Sequence, residues 1–226
     1  MSQAKRTEIS ELGEFGLIDH LTKDLKPQNS STLYSIGDDC AVLDYSGNDK
    51  EVLVTTDMLM EGVHFDLTYV PLKHLGYKSA MVNISDIYAM NGTPRQMTVS
   101  VALSKRFSVE DMEDFYAGIL LACQRHGVDL VGGDTTSSLT GLAISITCIG
   151  EAEKGKAVYR NGAGQNDLIC VSGNLGAAYM GLQLLEREKA VFNSTPHNAN
   201  EPFNPDFAGK EYLLERQLKP EARGDI

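Results

Sequence analysis

The stretch from residue 74 to 91 limits the fold more than any other part of the chain. Leu75, Ala80, Met81, Val82, Ile84, Ile87, Ala89 and Met90 make it apolar or small on most sides. A helix of that kind belongs inside a structure rather than on its surface. Yet Ser79, Asn83 and Asp86 fall at i, i+4 and i+7, which is one helical face. A polar stripe on a mostly buried helix needs partners from whatever covers it. Gly92 and Pro94 stop the helix.

The covering elements can be read on both sides of it. Met97, Val99, Val101 and Leu103 alternate with Thr98, Ser100 and Ala102, the pattern of a half-buried strand. Leu142 to Ile149 alternates likewise, and Val52 to Val54 is a short strand ending in Thr55-Thr56-Asp57. Gly37-Asp38-Asp39 turns into a strand at Ala41, after an extended piece from Leu33 to Ile36, and Ser46 to Asp49 is a turn. Leu130 to Asp134 reads as a short strand running into a glycine turn. Ser108 and Asp111 have the spacing of a capping box, and Met112, Phe115, Ile119 and Cys123 then share a helical face up to Gly127. Leu12, Phe15, Ile18 and Leu21 predict an earlier amphipathic helix over 10–25. Hairpin-like strands mixed with helices define an α+β fold: a mixed β-sheet domain with packed helices.

A Gly-rich linker near 155–166 marks a boundary. Beyond it come a strand at 168–172, a helix at 175–188, a polar loop at 192–207 and a last helix at 209–218. One strand and two helices cannot close a sheet. This second unit is therefore expected to be the incomplete start of an α/β domain, with the chain a fragment or completed by a second chain.

Composition excludes several partners. The 226 residues carry 20 Lys+Arg against 31 Asp+Glu, a net charge of −11. Nucleic acid needs a basic face, and anionic membranes repel such a chain. No apolar stretch of the about 7–15 residues of a secretory signal follows Met1, and no run reaches the roughly 18 of a membrane span. Cys40, Cys123, Cys148 and Cys170 form no C-x-x-C pair and read as buried cytoplasmic thiols.

The chemistry lies in a set of acids at strand ends, turns and the buried helix: Asp38 and Asp39, Asp57, Asp86 and Asp134. If several converge they repel, by about 4 kcal/mol for two charges at about 4 Å and an effective dielectric near 20. A cation or a proton must offset that. Threonines at 55, 56, 135 and 136 accompany the acids, and no His/Cys spacing suggests zinc. Hard oxygen ligands suit Mg²⁺, which commonly bridges carboxylates to phosphates. The acids could equally be helix caps and turn formers. The near-P-loop at Gly150–Ala157 lacks its Ser/Thr and carries two Glu, and it is set aside with the Arg223-Gly224-Asp225 tripeptide.

Four segments together carry a resemblance. They are Gly37-Asp38-Asp39-Cys40-Ala41-Val42-Leu43, Thr55-Thr56-Asp57-Met58-Leu59-Met60-Glu61-Gly62-Val63-His64-Phe65, Asn83-Ile84-Ser85-Asp86-Ile87-Tyr88-Ala89-Met90-Asn91-Gly92, and Gly132-Gly133-Asp134-Thr135-Thr136. Their order resembles that of the thiamine-monophosphate kinases, over about residues 14–181. The resemblance implies the fold shared with aminoimidazole ribonucleotide synthetase and a homodimer formed through the first domain's sheet. Residues 1–155 would be the ATP- and Mg²⁺-binding, dimerising domain, and 156–226 the incomplete second one. It implies Mg²⁺-assisted, ATP-dependent phosphorylation of thiamine monophosphate to thiamine diphosphate. Asp39, Thr55, Thr56, Asp57, Asp86 and Asp134 would then be metal ligands, with Asp57, Asp86 and Asp134 central to catalysis. Gly133, Asp134, Arg160 and Tyr116 would contact ATP, and His64 the substrate. The family continues with a further acidic segment that has no counterpart before Ile226. Two alternatives stand beside this reading: a relative acting on another phosphate acceptor, and a non-catalytic metal-binding or dimerisation module.

Overall fold

The computed structural model describes residues 9–45, 47, 49–194 and 205–226. Parts of the expected turn at 46–49 and of the loop at 192–207 lie outside these residues. Six strands form one mixed sheet: β1 Thr32–Tyr34, β2 Ala41–Leu43, β3 Lys50–Met60, β4 Thr93–Leu103, β5 Asp129–Ser137 and β6 Ala143–Glu153. Their order is β1-β2-β3-β6-β4-β5. All neighbours are antiparallel except β4 and β5. That parallel pair is joined by α3, Val109–His126, as a parallel connection requires.

Two helices cover one face of the sheet: α2, Leu72–Ala89, and α3. Ile84, Ile87, Met97, Val99, Ile119, Ile144 and Ile146 are buried between helices and sheet. The helices cross nearly backbone to backbone. A Cβ on Gly76 would stand 1.9 Å from the Phe115 carbonyl oxygen, and one on Gly118 would stand 2.0 Å from that of Lys73. Neither position has room for a side chain, so these glycines set the depth of the α2–α3 pair.

The ends of both helices follow from local sequence. Ser108 Oγ accepts from the Asp111 N–H while the Asp111 carboxylate accepts from the Ser108 N–H, the expected capping box. Helix α3 stops at left-handed Gly127, φ 64°. At the end of α2 the left-handed residue is Asn91, φ 59°, rather than Gly92. The Asn91 N–H donates to the Tyr88 carbonyl and the Gly92 N–H to that of Ile87, both at 2.9 Å, a Schellman closure. Gly92 is needed for space, since its Cβ would meet Leu53 Cδ1 at 2.3 Å.

Three expectations are corrected. Strand β3 runs on to Met60, so Thr55, Thr56 and Asp57 lie within it, held by full pairing with β6. Strand β5 likewise runs through its glycines to Ser137, because β4 pairs with it up to that point, with one register shift at Val131. Residues 168–172 form no strand, and Leu168 and Ile169 are almost fully exposed, since no described strand pairs with them. Helix α1, Gly13–Thr22, forms as expected, but Phe15 and Leu21 on its apolar face remain exposed. Helices α4, Ala177–Ser194, and α5, Glu211–Leu218, pack against each other with Gly181 at the contact. Cys40, Cys123 and Cys148 are buried thiols, whereas Cys170 is exposed.

Candidate active site

Two of the three residues in the polar stripe of α2, Asn83 and Asp86, find partners in β3. Buried Ser79 donates to the Leu75 carbonyl at 2.7 Å, and buried Asn83 donates from Nδ2 to the Ser79 carbonyl at 3.1 Å. The Asn83 Oδ1 accepts the Asp57 N–H at 3.1 Å. One turn on, Thr55 Oγ1 donates to Asp86 Oδ2 at 2.7 Å. Strand alternation puts Thr55 and Asp57 on the same, helix-covered face. The stripe therefore fixes two carboxylates, Asp57 and Asp86, on the wall of one cavity of about 280 Å³.

These carboxylates are costly to ionise where they sit. Asp86 is pushed up to about 6, first by burial and then by the charges of Asp57 and Asp39, against the pull of the Thr55 hydroxyl and Arg160. Asp57 is raised by burial, while nearby His64 pulls it down. A donor set of this kind favours either protons or a cation.

The acidic turn before β2 borders the same centre. Asp38 Oδ1 accepts the Asp39 N–H at 2.9 Å. Asp38 Oδ2 accepts the Arg160 N–H at 3.0 Å, and the Arg160 guanidinium pairs with both Asp39 and Asp38. Asp39, followed by Asp38, holds Arg160 above the ordinary arginine range. Arg160 is thus moored directly on the acidic turn.

Other expected site residues sit elsewhere. Thr56 faces the opposite side of the sheet, donating to the Ile146 carbonyl at 3.1 Å and accepting from Thr147 at 3.2 Å. Asp57 pairs with Ile146, Ile146 with Val99, and Val99 with Gly133. Asp134 follows Gly133, three strand spacings or about 14 Å from Asp57. Gly133 and Asp134 line a second concavity of about 460 Å³ together with Tyr116 of α3, while Arg160, the fourth expected nucleotide contact, sits at the acidic turn instead. A Cβ on Gly133 would lie 1.9 Å from the Val99 carbonyl oxygen. His64 is exposed, and its Nδ1 accepts the Met60 N–H at 2.9 Å, which leaves the proton on Nε2.

Sequence reasoning missed two contributors. Pro220, Glu221 and Ala222 close one side of the Asp57/Asp86 cavity. Glu221 is tied down by the Tyr77 hydroxyl at 2.6 Å and by Arg125 at 2.9 Å. Nothing local marked that segment, because its partners are about a hundred residues away. The second is the separate role of Asp38: it stands among the expected acids, but the resemblance gives a ligand role only to its neighbour, and no local signal separates two adjacent aspartates.

The donor chemistry fits Mg²⁺. Among the described residues no three acidic, His or Cys side chains form a ready-made metal cage. Mg²⁺ needs no such cage, since one or two carboxylates suffice when phosphates and water complete its shell. Asp57 and Asp86 share a cavity wall and repel each other, and they supply such a pair.

A mixed sheet covered on one face by two closely crossing helices, with paired carboxylates where the strand meets the helix, defines the class. The chain belongs to the AIR synthase related protein family, whose N-terminal domain matches residues 37–152. It is similar to the thiamine-monophosphate kinase of Aquifex aeolicus, 39% identical over 96% of this chain and 62% of that protein. It is also similar to that of Bacillus subtilis, 35% identical over 95% of this chain and 62% of that one. A solved structure described as AaThiL complexed with AMPPCP and TMP superposes with a TM-score of 0.79 at 36% identity, covering 98% of this chain and 63% of that one. The chain thus spans somewhat under two thirds of the relatives it matches.

Proposed function

We propose that the protein carrying this chain is a cytoplasmic kinase that transfers the γ-phosphoryl group of ATP to thiamine monophosphate, yielding thiamine diphosphate and ADP. The observation that carries this reading is the pairing of Asp57 with Asp86 in one cavity, with Asp39 and its partner Arg160 near enough to act on the Asp86 charge. The resemblance of the chain to proteins named for this activity, one of them described with AMPPCP and TMP bound, supports the substrates.

The reaction sets two anions against each other. An oxygen of the thiamine phosphate attacks the γ-phosphorus, and the bond from that phosphorus to the β-phosphate oxygen breaks. No general base is demanded, because a phosphate monoester is already largely ionised at neutral pH. What is required is neutralisation and in-line placement. Asp39, Asp57 and Asp86 would hold Mg²⁺, with Thr55 keeping Asp86 in position and Asp134 serving a separate ion or the nucleotide across the sheet. Bound there, Mg²⁺ supplies charge neutralisation of the phosphates. Arg160 adds a fixed cation, and Tyr116, Gly133 and Asp134 offer a surface for the nucleotide. His64, its ring held by the Met60 N–H, serves as a binding group beside Asp57. Thr56 would reach a metal only through its main chain, since its side chain is turned away.

The sheet face opposite the helices suits a homodimer. Met58 and Met60 are exposed on it, beside Thr56 and Thr147. Residues 1–155 would form this dimerising, Mg²⁺- and ATP-binding domain, and 156–226 would begin the second. The test is to incubate the natural protein with thiamine monophosphate, ATP and Mg²⁺. Thiamine diphosphate and ADP forming in equal amounts would support the reading. ATP hydrolysis without the diphosphate, or no reaction, would contradict it.

A further inference from the structure

Asp38 and Asp39 are neighbours in one turn, yet their surroundings differ. The Asp38 side chain is 1% exposed and that of Asp39 is 32% exposed. A carboxylate buried to that degree must be hydrogen-bonded or paired, and Asp38 is both. One oxygen accepts the Asp39 N–H at 2.9 Å. The other accepts the Arg160 main-chain N–H at 3.0 Å, with the Arg160 Nε 3.5 Å from the carboxylate. Asp38 therefore holds Arg160 at two points, main chain and side chain. Asp39 touches only the end of the guanidinium and stays open to solvent.

We infer that Asp38 is a positioning residue that moors Arg160, and with it the start of the 156–166 linker, so that the guanidinium points at the nucleotide's phosphates. This rests on the kinase reading given above. The two aspartates then divide the work. Asp39 is free to exchange its arginine partner for a metal ion, while Asp38 keeps Arg160 in place when that exchange occurs. An arginine on a free linker would lose rotamer and backbone entropy on binding phosphate, and a moored one has already lost it. The linker shows the same economy elsewhere, since Tyr159 rests on Tyr34 with ring centroids 4.9 Å apart and the Val158 N–H donates to the Met90 carbonyl.

The test is a double-substitution cycle on AMPPCP affinity in the presence of Mg²⁺, measured by calorimetry. Asp38→Asn is nearly isosteric and can still accept from the Asp39 N–H, so it removes charge without opening a hole. Alone it should weaken AMPPCP about tenfold, as expected for a lost charge-assisted contact. Combined with Arg160→Ala it should add nothing, because its effect passes through Arg160. Trypsin cleavage after Arg160 should also quicken in Asp38→Asn, while the thermal midpoint reports that the rest of the chain stays folded. If the Asp38→Asn and Arg160→Ala losses multiply, Asp38 does not act through Arg160 and the inference is overturned. If the unsubstituted protein carrying this chain shows no Mg²⁺-dependent AMPPCP binding, the kinase reading falls first, and the mooring role falls with it.

Discussion

Thr55 donates its hydroxyl to Asp86 at 2.7 Å, tying the middle of β3 to the C-terminal end of α2. The bond lowers the proton affinity of a carboxylate that burial and two neighbouring aspartates raise to about 6. Thr55→Val keeps the shape of this buried residue and removes only the donor. Asp86 should then hold its proton to higher pH. The pH midpoint of Mg²⁺-dependent AMPPCP binding, followed by calorimetry from pH 5 to 8, should move upward. An unchanged midpoint would mean that Asp86 is not a ligand.

Asp86 itself gives a stability prediction with a definite sign. Its folded value of about 6 lies above the ordinary 3.8, so between those values the folded chain binds more protons than the unfolded one. Its contribution to stability falls as pH rises through that window and stays at its least favourable above it. Asp86→Asn, which can still accept from Thr55, should raise the thermal midpoint of the metal-free protein at pH 8. Discounted for the solvent around a half-buried group, the gain is about 2 °C. It should vanish near pH 4. A loss of stability at pH 8 would reverse the electrostatic picture.

The α2–α3 crossing tolerates no side chain. Gly118→Ala would drive a methyl group to 2.0 Å from the Lys73 carbonyl oxygen, so the helices must separate. Overpacking of this kind costs about 3 kcal/mol or more. Urea unfolding should show that loss, and nucleotide binding should weaken as Asp86 moves with α2.

Much of this framework was legible in the chain. The capping box at Ser108 and the alternation from Met97 to Leu103 depend on residues close in sequence, and both elements form as expected. The polar stripe of Ser79, Asn83 and Asp86 announced partners without naming them. Ser79 bonds back within its own helix to Leu75, whereas the partners of Asn83 and Asp86, the Asp57 N–H and Thr55, appear only once β3 lies under α2. Register was not legible. Thr55-Thr56-Asp57 resembles a strand end because polar residues commonly close strands, yet pairing with β6 carries β3 past them. The same pairing separates Thr56 from Asp57 by face and Asp134 from Asp57 by three strands. An apolar run such as Leu168 to Val171 predicts a strand only where another strand waits beside it. Asp38 could not be told from Asp39 because the residue that distinguishes them is Arg160, far along the chain.

The open face of the sheet leads to a prediction about assembly. Met58 is 61% exposed there, pointing away from the helices and from the acidic cavity. Met58→Glu would place a charge on the face proposed for the homodimer, at a cost expected to weaken association at least about tenfold. Sedimentation velocity should show the substituted protein shifting to monomer at concentrations where the unsubstituted protein is dimeric. Equal behaviour of the two would remove this face from the assembly.

The central claim is that Asp57 and Asp86 together hold the Mg²⁺ on which nucleotide binding depends. The most direct measurement is a calorimetric titration of AMPPCP into the unsubstituted protein and Asp57→Asn, each with and without Mg²⁺. Asp57→Asn leaves intact the hydrogen bond from its main-chain N–H to Asn83, so the fold around the cavity should persist. The unsubstituted protein should bind tightly only with Mg²⁺, and Asp57→Asn should lose at least about tenfold of that affinity while its Mg²⁺-free binding stays the same. Equal Mg²⁺-dependent affinity in the two proteins would contradict the assignment of this cavity.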